Sequence, residues 1–147
     1  MTRWMVVGSM CAVASCAAGP PGPAELALGQ DACGSCRMTI VSGRTAAQIV
    51  APGEEPQFFD ELGCLRDRLR AAALPAGAVI YVADHRTQAW VDARTALFTQ
   101  TQTPTPMASG LLAHADAPSR DADPAARGGS PVAASAMFGS QERSAVP

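Results

Sequence analysis

The chain has 147 residues, of which 48% are hydrophobic and 16% charged, and its formal net charge is −2. This length suits one small domain with appendages. All 11 basic residues are arginines, and they form no patch large enough to suggest nucleic-acid binding. We therefore expect no nucleic-acid partner.

The first 15 residues predict an export signal. Arg3 supplies a positive charge, residues 4–13 form an apolar run too short to span a bilayer, and small residues precede Cys16. This order resembles a bacterial lipobox, which implies cleavage before Cys16 and attachment of lipid to its thiol; an ordinary secretory signal is the alternative. An aspartate directly after the lipidated cysteine would resemble an inner-membrane retention signal. Because Ala17 stands there instead, we expect a lipid anchor on the periplasmic side of the outer membrane.

The composition divides the mature chain into three parts. Residues 16–30, which carry the lipidated cysteine and are rich in Pro and Gly, predict a flexible spacer. Residues 31–116 contain the predicted strands and helix. Residues 117–147 predict a tail of low order with at most one short element. The tail side chains that could dock are Val132, Met137 and Phe138.

Residues 31–116 predict an α+β fold whose sheet, antiparallel or mixed, packs against one main helix. The predicted strands are residues 38–42, 46–51, 57–59, 79–83, 89–92 and 111–114. Asp60 resembles the N-cap of a helix at residues 61–73, and residues 93–98 suggest a helical turn. A polar loop at residues 100–106 leads to Met107, whose exposure there is atypical of packing.

Three cysteines remain once Cys11 leaves with the signal and Cys16 carries lipid: Cys33, Cys36 and Cys64. An odd number is unusual in an oxidising compartment, where structural cysteines pair. If a strand begins at Cys36, the side chains of Cys36 and Met38 share one face. A thiolate and a thioether together select soft cations, above all Cu(I).

Other uses of the Cys-x-x-Cys pair fit less well. A thioredoxin-like site needs a helix after its first cysteine, but β-branched residues follow Cys36. Haem attachment needs a histidine where Arg37 stands. Structural zinc usually takes four ligands, so it would need Cys64 together with His85 or His114 and remains a minor option.

Two interpretations fit the spacing equally well. Cu(I) accepts two or three soft ligands, which suits an open carrier site. Alternatively, Cys33 and Cys36 form a disulfide in a thiol-disulfide or structural lipoprotein, with Met38 and Met107 filling the core. Cys64 on the predicted helix suits either a core position or ligation.

Five segments, in this order, resemble the NosL family, lipoprotein accessory factors of nitrous oxide reductase. They are Cys-Arg-Met at 36–38, Phe-Phe-Asp-Glu-Leu-Gly-Cys at 58–64, Ile-Tyr-Val-Ala-Asp at 80–84, Trp-Val-Asp-Ala at 90–93 and Thr-Pro-Met-Ala-Ser-Gly at 105–110. The resemblance covers roughly residues 31–116. The Pro-Met-Ala-Ser-Gly and Trp-Val-Asp-Ala segments are its more specific parts.

The resemblance implies a non-enzymatic periplasmic Cu(I) chaperone built from ββαβ-like units. Its recipient would be a cuproenzyme, namely nitrous oxide reductase with its copper–sulfide centre. By position, Cys36 and Met38 match the family's Cys-x-Met ligands and Met107 its downstream methionine, while Arg37 stands where the longer family pattern has glycine. The further candidates for metal or redox chemistry are Cys33, Cys64 and His114.

Overall fold

The computed structural model describes residues 19–139. The predicted signal at residues 1–15 and the predicted lipid attachment at Cys16 lie outside them. Within the described residues, no helix has both the length and the apolar character needed to cross a membrane.

Residues 19–139 form seven β-strands, three α-helices and one short 3-10 helix. In chain order these are β1 (Ala47–Val50), β2 (Gln57–Phe59), α1 (Leu62–Ala71), β3 (Val79–Ala83), β4 (Trp90–Asp92), β5 (Leu97–Gln100), β6 (Leu111–His114), α2 (Ala117–Ala122), the 3-10 helix (Pro124–Ala126), β7 (Ser130–Val132) and α3 (Ala134–Phe138). The α+β prediction is confirmed, and α1 is the one main helix.

The strands form two antiparallel sheets. The first has the order β2-β1-β3-β4, and the second has the order β6-β5-β7. In the first sheet Ala47 lies between Phe59 of β2 and Val82 of β3. The continuous apolar run of β3 correctly predicted an inner strand, since it is bonded on both sides.

Helix α1 packs its apolar side against the first sheet. Leu62, Leu65 and Leu69 follow helical spacing and are all buried. They join a hydrophobic core that includes Phe59 and Val82. This packing fixes the first turn of α1 beside the end of β2.

Three local predictions are wrong. Residues 38–42 form no strand; a single bridge joins Ala32 to Thr39, because Arg37 adopts a left-handed backbone conformation (φ 66°) that ends extended pairing. Helix α1 begins at Leu62 with Glu61 as its N-cap, so Asp60 is not the cap. Residues 93–98 give a turn and the start of β5 rather than a helical turn.

The segment expected to be a flexible spacer lies along the first sheet over its described part. Gln48 of β1 is fully buried, and its amide needs partners there. It accepts the Ala24 N–H at 2.7 Å and donates to the Ala24 carbonyl at 3.2 Å. The Tyr81 hydroxyl donates to the Pro21 carbonyl at 2.7 Å. These bonds hold residues 21–24 against the domain.

The segment expected to be of low order carries α2, β7 and α3 up to Phe138. Strand β7 adds to the edge of the second sheet, where Pro131 is tolerated because an edge strand need not donate on both sides. Met137 and Phe138 are buried, and the Phe138 ring meets the Phe98 ring edge-on at 5.5 Å. A few large side chains therefore anchor a segment whose average composition predicts little order.

Candidate metal centre

A tight backbone loop presents the first two cysteines. We call residues 33–38 the cysteine loop. The Cys33 N–H donates to the Met38 carbonyl at 2.8 Å, and the Arg37 N–H donates to the Cys33 carbonyl at 2.9 Å. The left-handed conformation of Arg37 allows this closure. The loop thus brings Cys33 and Cys36 to one side of a turn.

The cysteine loop docks on the end of β2. The Gly34 N–H donates to the Phe58 carbonyl at 2.7 Å. A Cβ atom at Gly34 would lie 3.4 Å from both the Phe58 carbonyl oxygen and the Phe59 ring, so Gly34 lies in van der Waals contact with the end of β2. Since β2 leads directly into α1, the loop also lies beside the first turn of the helix.

The third cysteine, Cys64, lies in that first turn. The sulfur atoms of Cys33, Cys36 and Cys64 all lie within 4.8 Å of one another, and the three cysteines are free thiols. A metal with metal–sulfur bonds of about 2.3 Å in a trigonal plane needs sulfurs about 4 Å apart. The three cysteines, hereafter the thiol cluster, could therefore hold a metal ion.

The pKa values within the thiol cluster move in opposite directions. Burial by itself raises the pKa of Cys33, but the backbone N–H groups of Asp60, Cys36 and Ser35 donate to its sulfur and bring the pKa below the usual value. Burial, then the Cys33 charge, raises the pKa of Cys64 well above its usual range. Cys33 thus forms a thiolate more readily than Cys64, and a metal ion bound here would displace the proton of Cys64.

Two buried carboxylates follow β2 beside the cluster. The Asp60 backbone N–H points at Cys33, while Asp60 Oδ1 and Glu61 Oε2 are buried and lack a hydrogen-bond partner among the described residues. Burial, and then the charge of Glu61, raises the pKa of Asp60. The Asp60 backbone therefore contacts the thiol cluster, while the Asp60 carboxyl is less readily ionised than usual.

The two predicted methionine ligands are exposed rather than buried. Met38 is 52% exposed and Met107 is 49% exposed, so the interpretation of both as core fillers is wrong. Met38 ends the cysteine loop. Met107 lies on the loop at residues 105–110, which packs on α1: a Cβ atom at Gly63 would lie 2.8 Å from the Ser109 Cβ. Met38 is therefore two residues from Cys36, and Met107 belongs to a loop that contacts α1 one residue before Cys64.

The two histidines lie in a different cluster. His85 Nδ1 is 2.6 Å and His114 Nε2 is 3.0 Å from the same oxygen, Asp123 Oδ2. The structure thus places His114 with His85 and Asp123 instead of with the thiols. Asp123, in the segment expected to be of low order, was missed by sequence reasoning, and no motif marks it.

No family model matches this chain, and neither a curated protein nor a solved structure matches it significantly. The chemistry of the thiol cluster and the sequence resemblance are therefore the grounds for a function.

Proposed function

We propose that this protein is a Cu(I) chaperone that holds one ion at Cys33, Cys36 and Cys64 and passes it to a cuproenzyme. The observation that carries the proposal is the meeting of three free sulfurs within 4.8 Å of one another. Among the described residues, no histidine or carboxylate belongs to this group of three sulfurs, and the second group at this spacing, His85, His114 and Asp123, contains no thiol. Three soft ligands suit Cu(I), whereas structural zinc sites usually need four.

The burial of the three thiols suits a carrier. Cys33 and Cys64 are buried, while Cys36 is partly exposed. An ion held here is shielded on the core side and open on the side of Cys36. A donor atom from a recipient can approach that side and replace Cys36 first, so release proceeds by stepwise ligand exchange.

Met38 and Met107 would assist this exchange. A thioether binds Cu(I) through sulfur without carrying charge, so it holds the ion more loosely than a thiolate. Both side chains are about half exposed, Met38 two residues from Cys36 and Met107 on a loop that contacts α1. In this proposal the two methionines help to take up and release the Cu(I) ion, and the three thiolates hold it.

The recipient and location rest on the sequence. The resemblance to the NosL family supports delivery to nitrous oxide reductase and its copper–sulfide centre. The lipobox-like pattern supports an anchor at Cys16 on the periplasmic side of the outer membrane. This role requires no catalytic group.

A thiol-disulfide protein is the second candidate, and the low pKa of Cys33 favours it. A thiolate beside a partly exposed Cys36 is the arrangement of a reactive pair. In that case Cys33 and Cys36 would be bridged in the protein isolated from cells.

A Cu(I) titration against a chromophoric chelator, with the reduced full chain, tests the proposal. We expect one tightly bound equivalent of Cu(I) in the wild type and a loss of affinity of about 100-fold or more in Cys36→Ser. The loss of a direct metal ligand should cost at least as much affinity as the loss of a residue that only hydrogen-bonds to a ligand. The control Ser35→Ala should bind as the wild type does, and Met107→Leu should slow transfer to the chelator. Quantitative bridging of Cys33 to Cys36 in cells, with no copper binding after reduction, would select the disulfide candidate.

A further inference from the structure

Both histidines of the chain converge on one carboxylate, away from the thiol cluster. His85 follows β3 of the first sheet, His114 ends β6 of the second sheet, and Asp123 lies between α2 and the 3-10 helix. The three ligand atoms lie within 4.8 Å of one another. Three separate parts of the chain thus supply two imidazoles and one carboxylate to one point.

The backbone fixes this arrangement. The His85 N–H donates to the Ala113 carbonyl at 2.9 Å, which joins the end of β3 to β6. Arg44 Nη1 donates to the His85 carbonyl at 3.0 Å. Asp123 Oδ1 accepts the Ala125 N–H at 2.9 Å, so its other oxygen faces the rings. These contacts hold all three side chains in place without a ligand.

The hydrogen bonds of the cluster are incomplete. Both rings contact Asp123 through the same oxygen, and Nδ1 of the fully buried His114 has no partner among the described residues. An unpaired buried nitrogen costs about 1–3 kcal/mol. Because Nδ1 is not the nitrogen that faces Asp123, a metal bond at Nε2 would leave this cost in place. The support for a ligand is therefore the convergence of both rings on one carboxylate oxygen.

We propose that His85, His114 and Asp123 form a second metal site, which binds a divalent borderline cation such as Zn²⁺. Two imidazoles and a carboxylate are typical ligands for such ions. The cluster reaches the surface at the His85 side chain, which is 12% exposed, and at the Asp123 side chain, which is 6% exposed. On binding, each ring carries its proton on the nitrogen that faces away from the ion.

The two sites sort metals by ligand type. Sulfur ligands select soft Cu(I), whereas nitrogen and oxygen ligands select divalent ions. Because His85, His114 and Asp123 come from the two sheets and the α2 region, the ion would cross-link these elements. Zinc should therefore raise the melting temperature of the domain.

Equilibrium dialysis with zinc tests the site in the reduced full chain. All samples carry Cys36→Ser, which weakens zinc binding by the thiol cluster. We expect one zinc equivalent to persist in this background. Adding His85→Gln or Asp123→Asn should lower its affinity by about 100-fold or more. The matched control Asp121→Asn, an exposed carboxylate on α2, should leave it unchanged.

Two further measurements keep the test independent of folding defects. Circular dichroism must show that the variants are folded, and Co²⁺ in the Cys36→Ser background should give ligand-field bands without sulfur charge transfer. Zinc should raise the melting temperature of the Asp121→Asn variant but not that of Asp123→Asn. Two results would overturn the proposal and show that the cluster is only hydrogen-bonded. One is equal zinc binding with and without Asp123→Asn in the Cys36→Ser protein. The other is no bound zinc in the Cys36→Ser protein itself.

Discussion

At the scale of single residues, the spacing of Cys33 and Cys36 left a metal site and a disulfide equally open, and it did not predict that Cys64 meets these two thiols. The left-handed backbone of Arg37 turns the chain where β-branched residues predicted a strand. That turn leaves Met38 exposed and brings Cys33 to Cys36 and Cys64. A positive φ at an arginine has no sequence signal, because local propensity favours other conformations.

Arg37→Gly should stabilise the metal-free protein by about 0.5–1 kcal/mol. Glycine removes the cost of about 1–2 kcal/mol for a left-handed non-glycine residue, and its greater freedom in the unfolded chain offsets part of that gain. Urea unfolding at fixed pH measures the change. Ser35→Gly, in the same loop but without a positive φ, should instead destabilise the protein by about 0.5–1 kcal/mol. A destabilised Arg37→Gly protein would mean that the arginine side chain itself supports the loop.

At the scale of elements, strands with continuous or alternating apolar patterns were predicted, and β3 was predicted with the bounds that it has. The link between the two sheets was not predicted; the Asp84 side chain contributes to it together with the hydrogen bond from the His85 N–H to the Ala113 carbonyl. Asp84, just after β3, accepts backbone N–H groups from Arg86 and Thr87 in its own turn and from Ala115 after β6. Although burial opposes the charge, the N–H groups of Ala115 and Thr87 and the Ser119 side chain hold the pKa of Asp84 well below its usual range.

Asp84→Asn should destabilise the protein by about 2–3 kcal/mol. The amide can keep one accepting oxygen, but its NH₂ group then faces an N–H donor, and charge-assisted hydrogen bonds worth about 1.5–3 kcal/mol are lost. Chemical denaturation measures the loss. Asp67→Asn on the exposed side of α1 is the control and should change stability by less than about 0.5 kcal/mol. Similar values for the two variants would show that Asp84 does not join the sheets.

At the scale of the whole molecule, composition predicted the α+β class but not the helices and strand that follow residue 116. Residues after 117 are poor in large apolar groups, and average composition cannot show that Met137 and Phe138 insert into the core. Helix α3 packs on α1, and β7 completes the second sheet. The part that carries the thiol cluster and the segment at residues 117–138 therefore pack together.

Phe138→Ala should destabilise the protein by about 3 kcal/mol. The substitution removes a buried ring that packs edge-on against Phe98 and leaves a cavity between α3 and the second sheet. Thermal unfolding followed by circular dichroism measures the effect. Ser135→Ala, exposed on the same helix, should unfold close to the wild type. If Phe138→Ala also unfolded like the wild type, α3 would contribute nothing to the core.

X-ray absorption at the copper edge of the reduced, Cu(I)-loaded full chain tests most directly whether three thiolates hold the ion. The thiol cluster predicts a first shell of three sulfurs with no nitrogen or oxygen. Cys64→Ser should reduce the shell to two sulfurs, and Met107→Leu should leave it at three. A shell that loses a sulfur in Met107→Leu but keeps three in Cys64→Ser would contradict the account and restore the ligand set of Cys36, Met38 and Met107.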